Sequence, residues 1–334
     1  MVRIVTPLLN KADIAASPSK YSTPDTCQSW FHARWSCLHD PHVRALAWLI
    51  SAPDLLALDA AQWHAKIATL PPDSQTATWL QALDQQPAEL HAFLQIGPFE
   101  RLGRYAEKLL AFYFKHQGRL VAHGIQVHDN NHQTIGEFDF FLRCGAAVVH
   151  WEFAIKLYLM AGSEDSDCFV GPNLTDTLQA KMGKILDRQL ALSSHPAAVP
   201  YLPSPISDAQ ALIKGWMFYP DSNAAPLSAG LSVNHCRGFW CTHAHAKNID
   251  AACFVVLPRL SWLAPVQLDL QKTLDRAQLL SALDRHFSMD AMPLLIAQCR
   301  IDKHLALEVS RGFIVPNDWR DRAGQRTQRA CISR

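Results

Sequence analysis

The chain lacks the short motifs that identify the commonest nucleotide-binding and hydrolase sites. Its 334 residues contain no GxGxxG, no GxxxxGK[ST], no HExxH and no GxSxG pattern. Their absence removes the sequence support for a dinucleotide site, a P-loop, a zincin-type zinc site and a nucleophile elbow. A Ser-His-Asp arrangement is defined in space rather than by spacing, and no feature of this sequence favours one.

Long hydrophobic runs are missing as well. The first residues carry no sustained apolar segment of the kind found in secretory signals. The longest apolar stretch, residues 251–266, is interrupted by Pro258, Arg259 and Pro265 and is too short to span a bilayer. The nine cysteines, an odd number without short regular spacing, argue against a disulfide scaffold and indicate a reducing compartment. We therefore expect a cytoplasmic protein with no membrane partner.

Charge is scarce and balanced. Charged residues make up 18% of the chain, hydrophobic residues make up 49%, and the formal net charge is +1. This composition indicates a globular protein. A nucleic-acid partner would be held by a local basic patch, because the molecule as a whole carries almost no net charge. The length indicates two domains or one elaborated domain.

Three segments follow one another along the chain. Residues 1–97 have helical spacing of apolar residues between prolines, including residues 54–70 and residues 74–94. Residues 98–220 form the second segment. Residues 221–334 predict short strands, a helix at 268–287 and a frayed, arginine-rich tail from Trp319 onward.

The middle segment has the clearest order of elements. It predicts a helix near 99–116, a strand near 120–127, a strand hairpin over 134–156, a helix near 173–192 and a strand near 212–219. We therefore predict an α/β fold with a mixed αβββαβ core sheet, a helical N-terminal region and an α+β C-terminal extension.

The hairpin carries clustered acidic residues. Gly145 stands at the first central position of a two-residue turn, which predicts a type II′ turn and pairs Cys144 with Ala147. Extended along both strands, this register places Asp139 opposite Glu152. Opposed carboxylates have Cβ atoms only about 5 Å apart and repel each other. A divalent cation or a raised pKa on one partner resolves the conflict, whereas a solvent-exposed polar face is the purely structural alternative.

Further along the same register, Glu137 faces Ala154 on the second strand. Lys156 ends the predicted hairpin on the face that carries Glu152. On the preceding helix, Glu107 lies away from the apolar stripe and is either a further ligand of a metal site or a solvated helix charge.

A basic row follows on the second helix of the middle segment. Lys181, Lys184 and Arg188 are spaced i, i+3 and i+7, and Gln189 is next to them. Such a row either tracks the phosphates of a nucleic acid or forms a solvated helix face.

The run HCRGFWCTHAH at residues 235–245 is dense in metal-ligating residue types. Structural zinc needs four ligands in tetrahedral geometry, and no second ligand pair follows at zinc-finger distance. His243 and His245 alternate on a predicted strand. Core packing or substrate contact is the more economical interpretation of this run.

The segments GRYAEKLLAFYF, GEFDFFLR, HWEFAIKLYL and GPNLTDTLQAKMGKILDRQL, on this order of elements, resemble the PD-(D/E)XK nuclease superfamily and, more narrowly, an uncharacterised bacterial family within it. The resemblance implies a Mg²⁺- or Mn²⁺-dependent phosphodiesterase acting on nucleic acid, DNA rather than RNA. Asp139 and Glu152 are the implied metal ligands, Glu107 and Glu137 supplementary ones, and Lys156 the catalytic lysine.

Two positions depart from that superfamily's pattern. Phe138 stands where the superfamily has its proline, and Ala154 stands two residues before Lys156, where it has an acid. Glu152 or Glu137 would substitute for the missing acid. The departure keeps open a second function, a non-catalytic nucleic-acid-binding or interaction protein that retains the nuclease fold.

Overall fold

A mixed sheet organises the described part of the chain, which comprises residues 26–70, 74–97, 101–162, 168–220 and 230–332 of this computed structural model. The strands are β1 (Leu120–His128), β2 (Thr134–Cys144), β3 (Ala147–Met160), β4 (Phe169–Val170), β5 (Ile206–Tyr219), β6 (Cys236–Thr242), β7 (Cys253–Val256), β8 (Gln267–Asp269), β9 (Leu294–Asp302) and β10 (Leu305–Val315). The helices are α1 (Cys27–Trp35), α2 (Pro41–Ser51), α3 (Ser74–Gln85), α4 (Ala88–Leu94), α5 (Leu102–His116), α6 (Leu178–Lys184), α7 (Arg276–Met289) and α8 (Trp319–Ile332).

The sheet runs β1-β2-β3-β5-β6-β10-β9-β7, with β4 paired to β3 and β8 paired to β10. The pairs β3–β5, β5–β6 and β6–β10 are parallel, and the hairpin partners are antiparallel. The predicted α/β class and the αβββαβ order of the middle segment are therefore confirmed, with the two-residue strand β4 added. The strands predicted for the C-terminal segment extend the same sheet.

Helices and turns cover both faces of the middle strands. On one face α2 and α5 pack onto a large apolar cluster that includes Trp48, Phe114 and Trp216. On the other face α6 and the turns after it cover a smaller cluster that includes Tyr158 and Met182. Because both faces are covered, β3 and β5 have few exposed positions.

Four predicted elements differ in the structure. Residues 54–70 hold only the short 3₁₀ turn Ala61–Trp63, because Ile67 forms a bridge with Ala211 of β5. The helix predicted at 173–192 begins at Leu178, where the Thr177 hydroxyl accepts the Ala180 N–H.

The helix predicted at 268–287 begins instead at Arg276. The Asp275 carboxylate accepts the Gln278 N–H, and Leu274 exchanges backbone hydrogen bonds with Phe254, so the chain before the cap is extended. The tail predicted to fray from Trp319 is helix α8, because Trp319 is buried and its indole donates to the Pro172 carbonyl.

Buried polar contacts tie α1 to β10. The carboxylate of Glu308 accepts two hydrogen bonds from the Arg311 guanidinium, at 2.6 and 2.8 Å, and both side chains are fully buried. The Gln28 amide donates to Glu308, and a ring nitrogen of His32 lies 3.0 Å from the Glu308 carbonyl.

A disulfide between Cys27 and Cys236, whose Cα atoms are 5.5 Å apart, also joins α1 to the start of β6. The cysteine count argued against a disulfide scaffold and did not predict this single pair, which forms because α1 folds back onto the sheet across 209 residues. The thiols of Cys37, Cys144, Cys241, Cys253 and Cys299 take part in no disulfide. Among the described helices, none combines the length and the apolar character that crossing a bilayer requires.

Candidate active site

The hairpin turn and the first part of its register are as predicted. Gly145 has φ +60° while Ala146 keeps a negative φ, the pattern of a type II′ turn. Cys144 pairs with Ala147, and the ladder continues to Phe140 and Trp151.

The ladder ends there, so Asp139 and Glu152 are not paired across it. One Asp139 carboxylate oxygen instead accepts the backbone N–H of Phe153 at 2.7 Å. The predicted opposition of Asp139 to Glu152, and of Glu137 to Ala154, is wrong in this respect. The strands separate where the acids begin, and Asp139 bonds a backbone group that lacks a ladder partner.

The alternation of faces on β2 also breaks at Asp139. The Phe138 ring packs 4.7 Å from Phe141 and 4.8 Å from His150, in a cluster separate from the one that holds Phe140. Glu152 is only 1% exposed on the face that α6 covers. The alternative of a solvent-exposed polar face is therefore wrong for Glu152, whereas Glu137 is exposed.

Four carboxylates gather at this break in the hairpin. Gly124 of β1 lies between the residues that pair with Phe138 and Phe140, and it adopts φ +64°. A Cβ atom on Gly124 would lie 3.7 Å from a carboxylate oxygen of Glu137 and 3.9 Å from one of Glu107. The side chains from α5 and β2 therefore meet over a position that has no side chain of its own.

The charges of these groups act on one another. Burial raises the pKa of Asp139 to about 8, and the negative charge of Glu152 adds to the rise, followed by those of Glu107 and Glu137. Burial likewise raises the pKa of Glu107 to about 7, with Glu137 as the next cause. Glu107 is thus part of the acidic cluster and not an isolated solvated charge.

Both oxygens of Glu152 are already engaged. His150 Nε2 lies 2.8 Å from one oxygen, and the Gln189 side-chain amide donates to the other. Because a carboxylate only accepts, His150 Nε2 donates this hydrogen bond, and the second ring nitrogen is Nδ1. That Nδ1 is buried and has no partner in the described part of the chain.

The two lysines of the site have different partners. Lys156 Nζ forms an ion pair with Asp176 at 2.8 Å, and the Tyr158 hydroxyl donates to the same carboxylate oxygen at 3.1 Å. Lys181 Nζ instead donates to the Gln189 side-chain oxygen at 3.0 Å. Lys156, predicted as the catalytic lysine, therefore has its charge directed at Asp176.

The basic row divides between site and solvent. After Lys184 the helix continues as one π-helical turn, Ile185–Gln189, which brings Gln189 to Glu152 and Lys181. Single π-helical turns occur frequently at functional sites. Lys184 and Arg188 are exposed, so they lie outside the acidic cluster.

The donor chemistry of the cluster suits Mg²⁺ or Mn²⁺. Its carboxylate oxygens are hard ligands, and no ion pair among the described residues involves Glu107, Glu137 or Asp139. No set of three or more His, Cys, Asp or Glu side chains in the described ranges is arranged to hold a metal ion by itself. Mg²⁺ usually takes only one or two carboxylates, together with water and substrate phosphate, so the cluster needs no third protein ligand.

Members of the Cys/His run have separate partners within the fold. Cys236 is in the disulfide, and buried His235 lies 2.7 Å from the Tyr219 hydroxyl. His243 and His245 lie in a 3₁₀ turn and not on the predicted strand, and His243 pairs with Asp284 on α7. These different partners support core packing over a zinc site.

A cavity of about 240 Å³ lies on the opposite face of the sheet, near α1 and α2. The ammonium of buried Lys214 is directed into its wall, where it bonds the Ala52 carbonyl at 2.7 Å and the Asp54 carboxylate at 2.8 Å. Asp54 also accepts the Thr69 hydroxyl. The Lys214 ammonium is therefore already bonded within the fold. The cavity is separate from the acidic cluster.

Residues 44–315 match a family model described as a domain of unknown function (DUF1853). No curated protein and no solved structure matches the chain.

Proposed function

We propose that this chain, which belongs to the DUF1853 family, is a metal-dependent nuclease or related phosphodiesterase that acts on nucleic acid. The observation that carries the proposal is the gathering of Glu107, Glu137, Asp139 and Glu152 at the break in the hairpin. Two of these acids have raised pKa values, and none of the four has a lysine or arginine ion-pair partner in the described residues. A largely buried acidic cluster of this kind is destabilised by its own charge until a cation or a proton neutralises it.

Asp139 and Glu107 are the residues we assign to the metal, with Glu137 beside them at the exposed side. When bound, Mg²⁺ supplies Lewis-acid activation of the phosphate and of the attacking water. Glu152 adds its negative charge to the cluster while Gln189 and His150 hold its carboxylate in place. In this proposal Glu152 takes the place of the acid that is missing at Ala154.

The reaction is hydrolysis of a phosphodiester. The oxygen of water forms a bond to phosphorus, the bond from phosphorus to the leaving sugar oxygen breaks, and that oxygen takes up a proton while the attacking water loses one. Lys184 and Arg188 are exposed on the surface next to the site, where they contact phosphates along the strand. We propose DNA rather than RNA as the substrate and the cytoplasm as the location.

Cleavage assays with the Asp139→Ala variant test this proposal. Wild-type protein with Mg²⁺ or Mn²⁺ is expected to cleave DNA, and Asp139→Ala is expected to lower the rate at least about 100-fold, the scale on which metal-site residues act. Circular dichroism should show that the variant is folded. If wild-type protein cleaves neither DNA nor RNA of any form with either metal, the proposal fails.

Ala154 supports a second candidate, a nucleic-acid-binding protein without catalysis, because it stands where the superfamily has an acid. Calorimetric titration with Mn²⁺ separates the two functions. Tight Mn²⁺ binding that Asp139→Ala removes favours the enzyme. Nucleic-acid binding without Mn²⁺ binding favours the second candidate.

A further inference from the structure

Lys156 and Lys181 are close enough for their charges to interact, and their surroundings differ. Lys156 is held by a carboxylate, whereas the one described partner of Lys181 is the neutral side-chain oxygen of Gln189. An ammonium already paired with a carboxylate has less capacity to stabilise a second anion. Lys181 keeps two N–H groups for a ligand.

Lys181 is also linked to the acids through Gln189. The Gln189 side chain accepts from Lys181 and donates to Glu152, which in turn bonds His150. The chain of hydrogen bonds fixes the position of the ammonium relative to the carboxylate. Burial lowers the pKa of Lys181, and the nearby positive charges of Lys156 and Lys184 lower it further, against the attraction of Asp139 and Glu152. These interactions place the Lys181 ammonium within electrostatic reach of Asp139 and Glu152.

From this arrangement we infer that Lys181, and not Lys156, is the lysine that contacts the scissile phosphate. Lys181 donates hydrogen bonds to a non-bridging phosphate oxygen and stabilises the negative charge that grows there during attack by water. The Lys156–Asp176 pair is a positioning element that holds β3 to the loop before α6. This assignment rests on the proposed function, because it names the substrate group that the same site binds.

Kinetic comparison of three variants tests the assignment. Lys181→Met keeps the length of the side chain and removes the charge, and we expect kcat to fall about 100-fold or more. Lys181→Arg is expected to recover part of that loss. The double variant Lys156→Met with Asp176→Asn removes the ion pair without leaving a lone charge, and its kcat is expected to fall less than about tenfold.

Lys272→Met is the matched control, because Lys272 is exposed and distant in the chain from the acidic cluster. It reports the effect of losing one positive charge anywhere on the protein. The assignment is overturned if Lys181→Met behaves like Lys272→Met while the Lys156/Asp176 double variant is inactive.

A footprint on wild-type protein gives a readout that needs no turnover. Lysines are modified with an amine reagent in the presence of Ca²⁺, with and without a DNA duplex, and labelled sites are quantified by mass spectrometry. We expect DNA to slow modification of Lys181 several-fold and to leave Lys156 nearly unchanged. The assignment is overturned if DNA protects neither lysine from modification, or if it protects Lys156 alone. Failure of wild-type cleavage counts against the proposed function, whereas the footprint judges the lysine contact by itself.

Discussion

Asp139 holds an unusual position for a strand residue. It lies at the point where β2 leaves β3, and its carboxylate accepts the Phe153 N–H that the ladder no longer satisfies. The same carboxyl group is buried beside three other acids. One side chain therefore satisfies a backbone group that the ladder leaves unpaired, and it brings into the candidate active site a carboxyl group whose ionised form is destabilised by its surroundings.

The pH dependence of stability should reveal that charge. The pKa of Asp139 rises from 3.8 to about 8 on folding, so the folded protein binds this proton more tightly than the unfolded chain. The resulting stabilisation is complete at low pH and is lost as the pH rises through about 8. One pKa unit corresponds to about 1.4 kcal/mol. Between about pH 5 and pH 8 the free energy of unfolding of the metal-free protein should therefore fall by more than about 1.4 kcal/mol.

Urea denaturation of metal-free wild type and Asp139→Asn at both pH values measures this loss. The variant stays neutral, so its free energy of unfolding should fall less over the same range. Histidines titrate in both proteins and cancel in the difference. Equal pH dependence of the two proteins would show that Asp139 is charged in the folded state.

Residue types identified the acids from the sequence, but their contacts depended on the fold. Asp139, Glu152 and Lys156 stand out because charged residues are rare in strands. The end of the ladder at Phe140, and the pairing of Lys156 with Asp176 from a later loop, depend on tertiary packing that no local pattern contains. In the sequence, the only indication of the contact between Gln189 and Glu152 was that Gln189 is next to the basic row. The π-helical turn that makes this contact was not predicted.

Strands and helices followed the sequence where apolar periodicity was strong. Helix α5 and strands β1, β2, β3 and β10 lie close to their predicted positions. The predictions failed where a long-range contact overrode spacing, as at Ile67, which bridges to β5, and at Trp319, which is buried against the Pro172 carbonyl. Helical spacing alone does not distinguish a helix from an extended segment packed on a sheet.

Gly215 shows how closely β5 approaches β3. A Cβ atom at this position would lie 1.8 Å from the Lys156 carbonyl oxygen, far inside van der Waals contact. Gly215→Ala is therefore expected to separate the two strands at Lys156 and to lower the free energy of unfolding by about 1–3 kcal/mol or more.

The control for that change is Gly103→Ala on α5, where an added Cβ atom has no heavy atom within 4 Å. Removing glycine from a helix stabilises it by up to about 1 kcal/mol, so this variant should be neutral or more stable. Chemical denaturation compares the two variants. Similar stabilities for both would contradict the close approach of β5 to β3.

Across the entire chain, buried ion pairing holds distant segments together. Arg311 bonds Glu308 and the backbone carbonyls of Trp262, Leu263 and Ala264, and its guanidinium lies 4.2 Å from the Trp216 ring centroid. The cluster thus joins the predicted C-terminal extension to a strand of the predicted core. The predicted core and the predicted C-terminal extension therefore pack into the same buried region.

Arg311→Leu should therefore destabilise the whole protein. It leaves the Glu308 carboxylate buried and without its cation, which typically costs about 3–5 kcal/mol. Arg300→Leu is the control, because Arg300 and Asp302 form an ion pair with both side chains about half exposed, worth about 1 kcal/mol or less. Thermal and urea unfolding should show the large loss only for Arg311→Leu. Equal losses would mean that the buried pair contributes no more than a surface pair.

The place of β10 in the sheet has a consequence for synthesis of the protein. This strand is the last of the described strands in the chain, yet it lies between β6 and β9 and contacts α1 through Glu308. Until the ribosome has released β10, β6 has an unpaired inner edge and α1 lacks its buried partner. Exposed strand edges favour aggregation, and contacts between distant residues form slowly. While β10 is still being synthesised, the nascent chain therefore holds a partly formed sheet with an exposed strand edge. In this state we expect a chaperone that covers the edge of β6 to prevent aggregation most effectively.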